Sequence, residues 1–122
     1  MVKTILVVDD NPVVRRILCR IFEAEEDYDV CAEAANGKEA IERARKYKPD
    51  LIILDLALPD ISGLDAASEL KRLMPHVPII LFTQHSETGD RIGVTNLSVD
   101  RIVSKGDTPS LMRHVRSLVG AQ

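Results

Sequence analysis

An α/β fold with a mostly parallel, doubly wound sheet is what the sequence predicts, on three observations. Apolar runs alternate with amphipathic segments, several of those runs end in a polar or charged residue, and proline or glycine marks most junctions. Five predicted strands alternating with five predicted helices imply right-handed crossovers that cover both faces of the sheet. The strand order 2-1-3-4-5 suits that alternation. It sets strands one and three side by side at the switch point, where open sheets of this kind hold their ligands.

The first run, Ile5-Leu6-Val7-Val8, closes on Asp9-Asp10. Asn11-Pro12 then opens a helix, because Asn is a favoured N-cap and Pro suits the first helical turn. Val14, Ile17, Leu18, Ile21 and Phe22 form its apolar stripe, and Glu23 to Asp27 ends it in a solvated acidic patch. Val30-Cys31-Ala32 reads as a short strand near a sheet edge. Asn36-Gly37 turns the chain into a helix through Tyr47, with Ala40, Ile41 and Ala44 inward and Pro49 as the stop.

The third strand, Ile52-Ile53-Leu54, runs into Asp55; an unbroken apolar run fits a strand buried on both faces. Pro59-Asp60-Ile61-Ser62-Gly63 is a loop of turn formers, followed by a helix from about Leu64 to Met74. Val77 to Phe82 is the fourth strand and delivers Thr83 to its end. The segment Glu87 to Leu97 is expected to be the least stable helix, since Gly89 and Gly93 each cost about 1 kcal/mol relative to Ala. Arg101-Ile102-Val103-Ser104 delivers Lys105. Thr108-Pro109 repeats the cap-plus-proline opening before a stripe of Leu111, Met112, Val115, Leu118 and Val119.

A chain of 122 residues, 45% hydrophobic and 29% charged, fits one soluble domain over residues 1–122 with no second domain. A net charge of −3 gives no electrostatic ground for direct nucleic-acid binding. No apolar run approaches the roughly 18 residues that span a bilayer, and the start has no signal-peptide layout, so the expected location is cytoplasmic, away from the membrane. Cys19 and Cys31 lack metal or redox spacing and read as reduced, mostly buried thiols.

The predicted order brings Asp9 and Asp10 beside Asp55, with Thr83 and Lys105 arriving from strands four and five. Three carboxylates crowd together ionised only with positive charge among them. Their −3 is balanced by +1 from Lys105 and +2 from a divalent cation. Ligands that are all oxygen select a hard ion, Mg²⁺ foremost, with Mn²⁺ as a substitute. Asp55 is then placed to act as a nucleophile toward phosphorus, with Lys105 neutralising the transferring group. Each residue also has a plainer role: Asp55 as a turn or helix cap, Asp9-Asp10 as a helix-start pair, Thr83 as a strand-end cap, Lys105 as a solvated cation.

With these residues in order at strand ends, the chain resembles a response-regulator receiver domain of the two-component signalling family over essentially its whole length. The resemblance rests on Asp9-Asp10, Asp55 with Leu58-Pro59 and Gly63, Thr83, and Lys105. It implies a flavodoxin-like fold in which Asp55 is the phosphoacceptor. Asp10 would bind Mg²⁺ directly, Asp9 largely through water, and the Ala57 carbonyl would complete the protein ligands. Thr83 and Lys105 would read the phosphoryl group. The implied donor is the phosphohistidine of a histidine kinase or phosphotransfer protein in a phosphorelay, and the domain catalyses its own phosphorylation and dephosphorylation. The implied output partner or effector domain docks on the fourth predicted helix, strand five and the last helix, and homodimers are among the implied assemblies.

Several positions depart from the family pattern. Ile102 replaces the switch aromatic three residues before the lysine, and a β-branched side chain has little rotameric freedom. Gln84 is long where a small residue is usual, Gly106 follows Lys105 in place of a proline, and Ser98 replaces a glycine. His85, with Ala57 and Gln84, is a candidate modulator of phosphoryl lifetime at the mouth of the site, whereas His76 and His114 read as surface residues. Two rival enzymes or binders fit less well. A flavodoxin-like mononucleotide binder needs a glycine- and hydroxyl-rich phosphate loop where this chain has repulsive acids. A haloacid-dehalogenase-type phosphatase needs a general acid where this chain has Ala57. The remaining alternative is a phosphorylation-independent interaction module of the same shape. The chain stops just after its last predicted helix, as either a stand-alone receiver or a piece of a longer regulator.

Overall fold

The computed structural model describes residues 2–84 and 98–120. In chain order the elements are β1 (Lys3–Val8), α1 (Pro12–Glu23), β2 (Tyr28–Ala34), α2 (Gly37–Tyr47), β3 (Leu51–Leu54), α3 (Gly63–Leu73), β4 (Ile79–Thr83), β5 (Arg101–Ser104) and α4 (Thr108–Val119). The sheet has the predicted order β2-β1-β3-β4-β5, and every pairing in it is parallel. Among the described residues there are four helices rather than the five expected. The expected helix Glu87 to Leu97 lies outside those residues, as does His85.

β1, β3 and β4 alternate their side chains between two apolar layers, which is why each reads as continuous hydrophobic sequence. Ile5, Val7, Leu51, Ile53, Ile80, Phe82 and Val103 face α1 and α4, where they meet Leu18, Phe22, Leu111 and Val115. Leu6, Val8, Ile52, Leu54 and Ile79 face α2 and α3, where they meet Ala40, Ala44, Ala66, Ala67 and Leu70. The alanines let those two helices approach the sheet closely, while the other layer is filled by larger side chains. Phe22 and Tyr28 meet edge to face in the α1 and α4 layer, with ring centroids 6.0 Å apart.

The edge strand departs from expectation. β2 extends from Tyr28 to Ala34 instead of covering only Val30 to Ala32. Ile5 pairs with Val30 but Leu6 pairs with Ala32, so Cys31 is an extra residue. This bulge flips the alternation: Tyr28 and Val30 face the α1 layer, whereas Ala32 and Ala34 face the α2 layer. A pattern search for period two fails across such a slip, and the exposed Asp29 and Glu33 hide the strand further. Both thiols are half-buried rather than mostly buried. Burial, followed by the charge of Glu33, pushes the Cys19 thiol up to about 11.

The helix starts follow their caps. Asn11 accepts from the Val13 N–H, Asn36 from the Glu39 N–H and Ser62 from the Leu64 N–H. In α4 the cap is Asp107, one residue before the expected Thr108, and its side chain accepts from the Ser110 N–H. A carboxylate at that position also complements the positive end of the helix dipole. Thr108 and Pro109 accordingly begin the first turn.

Candidate functional site

The site lies at the carboxyl edge of the sheet, over β1, β3, β4 and β5. Backbone pairing carries the acids beyond the strands that deliver them. The Asp9 N–H donates to the Ala34 carbonyl at 3.0 Å, and the Asp55 N–H to the Val8 carbonyl at 2.9 Å. The Lys105 N–H donates to the Thr83 carbonyl at 2.7 Å, which ties the ends of β4 and β5 together. Each polar residue therefore inherits the rigidity of a buried strand.

Asp9, Asp10 and Asp55 each present a carboxylate oxygen, and these oxygens lie within 4.8 Å of one another. Lys105 Nζ sits 2.9 Å from Asp9 Oδ2 and 3.3 Å from Asp55 Oδ1. Asp9 and Asp55 are 2% and 3% exposed and Thr83 is fully buried, whereas Asp10 and Ala57 face solvent at the rim. The expected acids and lysine thus converge, and Thr83 stands at the end of β4 beside them in the strand order. Gln84 is exposed. Ile102 pairs with Leu81 in the ladder, and because Val103 faces the α1 and α4 layer, alternation turns Ile102 to the opposite face.

The electrostatics are those of a site short of positive charge. Burial, and then the charge of Asp9, pushes the Asp55 carboxyl above its ordinary value, while Lys105 and the Ala57 N–H oppose the rise. Burial works against the Lys105 ammonium, but its bonds and charge contacts with Asp9 and Asp55 outweigh this and raise it. Three carboxylates and one ammonium leave a formal −2. An all-oxygen donor set with that residual charge, half open to water at Asp10, fits a hard divalent ion that keeps part of its hydration shell.

The loop after Asp55 contains a residue whose role was not legible from the sequence. Asp60 accepts from the N–H groups of Gly37 at 2.8 Å and Lys38 at 2.9 Å, capping α2 from another part of the chain. These bonds, led by the one from Gly37, hold its carboxyl below the ordinary value. A depressed acid contributes stability above its unfolded-state value of 3.8 and loses it as pH falls through the folded-state value. Asp60→Asn is expected to lower the urea midpoint at neutral pH, with the gap to the parent closing on acidification below pH 3.8. A constant gap across that range would show that the carboxylate charge is not what α2 uses. The sequence offered only an aspartate among turn formers, and its partner lies 23 residues away.

Comparison with known proteins points the same way. A family described as response regulator receiver domain matches residues 5–116. The chain is 36% identical over 107 residues to protein-glutamate methylesterase/protein-glutamine glutaminase 3 of Paramagnetospirillum magneticum, covering 88% of this chain and 30% of that protein. It is 32% identical to the response regulator protein VraR of Staphylococcus saprophyticus, over 87% of this chain and 51% of VraR. The chain therefore spans about half the length, or less, of these curated relatives. Among solved structures, the response regulator protein TrrA of Thermotoga maritima, in complex with Mg(2+)-BeF, superimposes with a TM-score of 0.84 at 34% identity, covering 96% of this chain and 99% of that one. TrrA is also similar to the chain, at 32% identity and a TM-score of 0.80, in a structure with the histidine kinase ThkA, covering 96% of this chain and 98% of that one.

Proposed function

The chain belongs to the response regulator receiver domain family of two-component signalling, and on that premise we propose that Asp55 is its phosphoacceptor. The observation that supports this best is the convergence of three carboxylates, two of them ion-paired to Lys105, at the ends of the strands. An Asp55 carboxylate oxygen attacks phosphorus, the bond from phosphorus to the donor's imidazole nitrogen breaks, and the imidazole keeps that electron pair. The family premise and the TrrA–ThkA structure support a histidine kinase as the donor, directly or through a phosphotransfer protein.

Asp10, Asp55 and the Ala57 carbonyl would hold Mg²⁺, with Asp9 acting largely through water. When bound, the ion supplies charge neutralisation on the transferring phosphoryl group. Lys105 orients Asp9 and Asp55 before the reaction and can follow the new negative charge on Asp55 afterwards. Thr83, at the adjacent strand end, supplies a hydroxyl toward a phosphoryl oxygen. The strands fix these groups in advance, so little reorganisation is needed at the moment of transfer. Residue 57 is alanine, so the chain lacks the nearby general acid of a phosphatase that uses a similar aspartate.

The output surface is the region of β5 and α4. Ile102 takes the place of the family's switch aromatic, so the signal runs through shifts of loop and helix rather than the swing of a ring. An effector domain or a separate output protein reads that face, and a second copy of the domain is the other candidate occupant.

Incubation with acetyl phosphate and Mg²⁺, followed by intact mass measurement, tests the assignment. The expected result is the gain of one phosphoryl group, abolished in Asp55→Asn and by a chelator. No gain from acetyl phosphate or from a phosphorylated kinase would leave the chain as an interaction module that signals by contact alone.

A further inference from the structure

Asp9 is fixed by four bonds, and of the four partners Lys105 alone takes part in the proposed chemistry. Its N–H donates to the Ala34 carbonyl, its Oδ1 accepts from the Asn11 N–H at 2.9 Å, and its Oδ2 accepts from Lys105. The fourth bond is to its carbonyl, which accepts from Arg15 Nη1 at 2.6 Å. That carbonyl belongs to the planar Asp9–Asp10 peptide, so its direction fixes the course of the backbone into Asp10. Asp10 itself is exposed and depends on this backbone for its place.

Arg15 is held in turn. Its Nε lies 3.1 Å from Glu33 Oε1, and its side chain is only 20% exposed. Glu33 reaches α1 because the bulge at Cys31 reverses the faces of β2 beyond that point. The guanidinium fork thus spans from the edge strand to the backbone of the acid loop, a two-point contact that a single ammonium does not reproduce.

We propose that Arg15 is a positioning residue for the divalent-cation site: anchored by Glu33, it orients the Asp9–Asp10 peptide so that the Asp10 carboxylate is ready for the ion. This inference rests on the metal-site reading above. It competes with a purely electrostatic role of opposite sign. Taking a cation away from three carboxylates strengthens Mg²⁺ binding by Coulomb attraction, whereas taking away a strut weakens it.

Calorimetric titration of the full chain with MgCl₂ separates the two. Arg15→Ala is expected to raise the dissociation constant about ten-fold, the lower end for loss of a group that orients a metal ligand. Glu33→Ala should raise it by a smaller factor, since Arg15 keeps its own bond to the Asp9 carbonyl. Arg15→Lys should recover part of the loss. Labelling by acetyl phosphate should show the same shift in the half-saturating Mg²⁺ concentration, with the rate at saturating Mg²⁺ close to that of the parent. A purely structural role would not divide the kinetics in this way. Equal or tighter Mg²⁺ binding by Arg15→Ala overturns the proposal, as does a lowered saturating rate with an unchanged dissociation constant. If Arg15→Ala fails to fold, unchanged binding in both Glu33→Ala and Arg15→Lys overturns it. Failure of the parent chain to bind Mg²⁺ would instead remove the metal-site reading, and this inference with it.

Discussion

Gly63→Ala is expected to destabilise the fold by about 3 kcal/mol, the upper end for overpacking against atoms that cannot move aside. A Cβ at this position would lie 2.2 Å from the Asp55 carbonyl oxygen and 2.7 Å from the Leu56 Cα. Both are backbone atoms of the segment that carries the proposed phosphoacceptor. The approach is close because the loop folds back on itself: the Gly63 N–H donates to the Leu56 carbonyl at 2.8 Å, and Ala57 bridges to Ser62. The need is for space rather than for an unusual dihedral, since no glycine described here has a positive φ. Relief requires moving the Asp55–Leu56 backbone, so phosphoryl uptake should fall together with stability. Gly106→Ala is the control, because a Cβ there meets only Ser104 Oγ, at 3.8 Å. Urea unfolding of the two variants checks this, and a Gly63→Ala midpoint equal to that of Gly106→Ala would refute it.

Lys105→Met is expected to cost about 3 kcal/mol at neutral pH in the presence of a chelator, the lower end for removing one partner of a buried ion pair. The substitution keeps most of the apolar stem, which lines a small cavity with Val14, Ile17, Leu18 and Phe82. It deletes the charge that lies 2.9 Å from Asp9 and 3.3 Å from Asp55. The loss should depend on pH with a definite sign. Asp55 is already raised above 3.8 in the folded domain, so its ionisation costs the fold stability as pH rises through the folded-state value. Without Lys105 that cost grows. The gap between variant and parent should therefore narrow as pH falls below the folded-state value of Asp55, where that carboxyl is protonated, and be full at neutral pH. Mg²⁺ should restore much of the stability of Lys105→Met, since a divalent ion can supply the missing charge, and should stabilise the variant more than the parent. A gap that is independent of both pH and Mg²⁺ would show that Lys105 matters through packing alone.

The two predictions involve one arrangement. Asp55 is held from below by the sheet, from behind by the close approach of Gly63, and from the side by Lys105. The first is a matter of hydrogen-bond register, the second of volume and the third of charge. A substitution at each point therefore fails in a different way, and the three failures respond differently to pH and Mg²⁺.

The alternation of strands and helices, the strand order and the acids and lysine at the strand ends could all be read from residue pattern alone. Apolar runs are local, caps and prolines are local, and crossover handedness leaves few ways to order five strands. Ile5 to Asp10 and Ile52 to Asp55 were legible because a buried parallel strand leaves no polar face to confuse the pattern. Features that depend on contacts between distant residues, or on a slip in register, became visible in the folded chain. The bulge at Cys31 lengthened β2 and turned Glu33 toward Arg15. Asp60 caps a helix that begins 23 residues before it. Gly63 is required by two backbone atoms that no spacing rule brings within reach. Each of these is set by proximity in space, whereas sequence patterns record proximity along the chain.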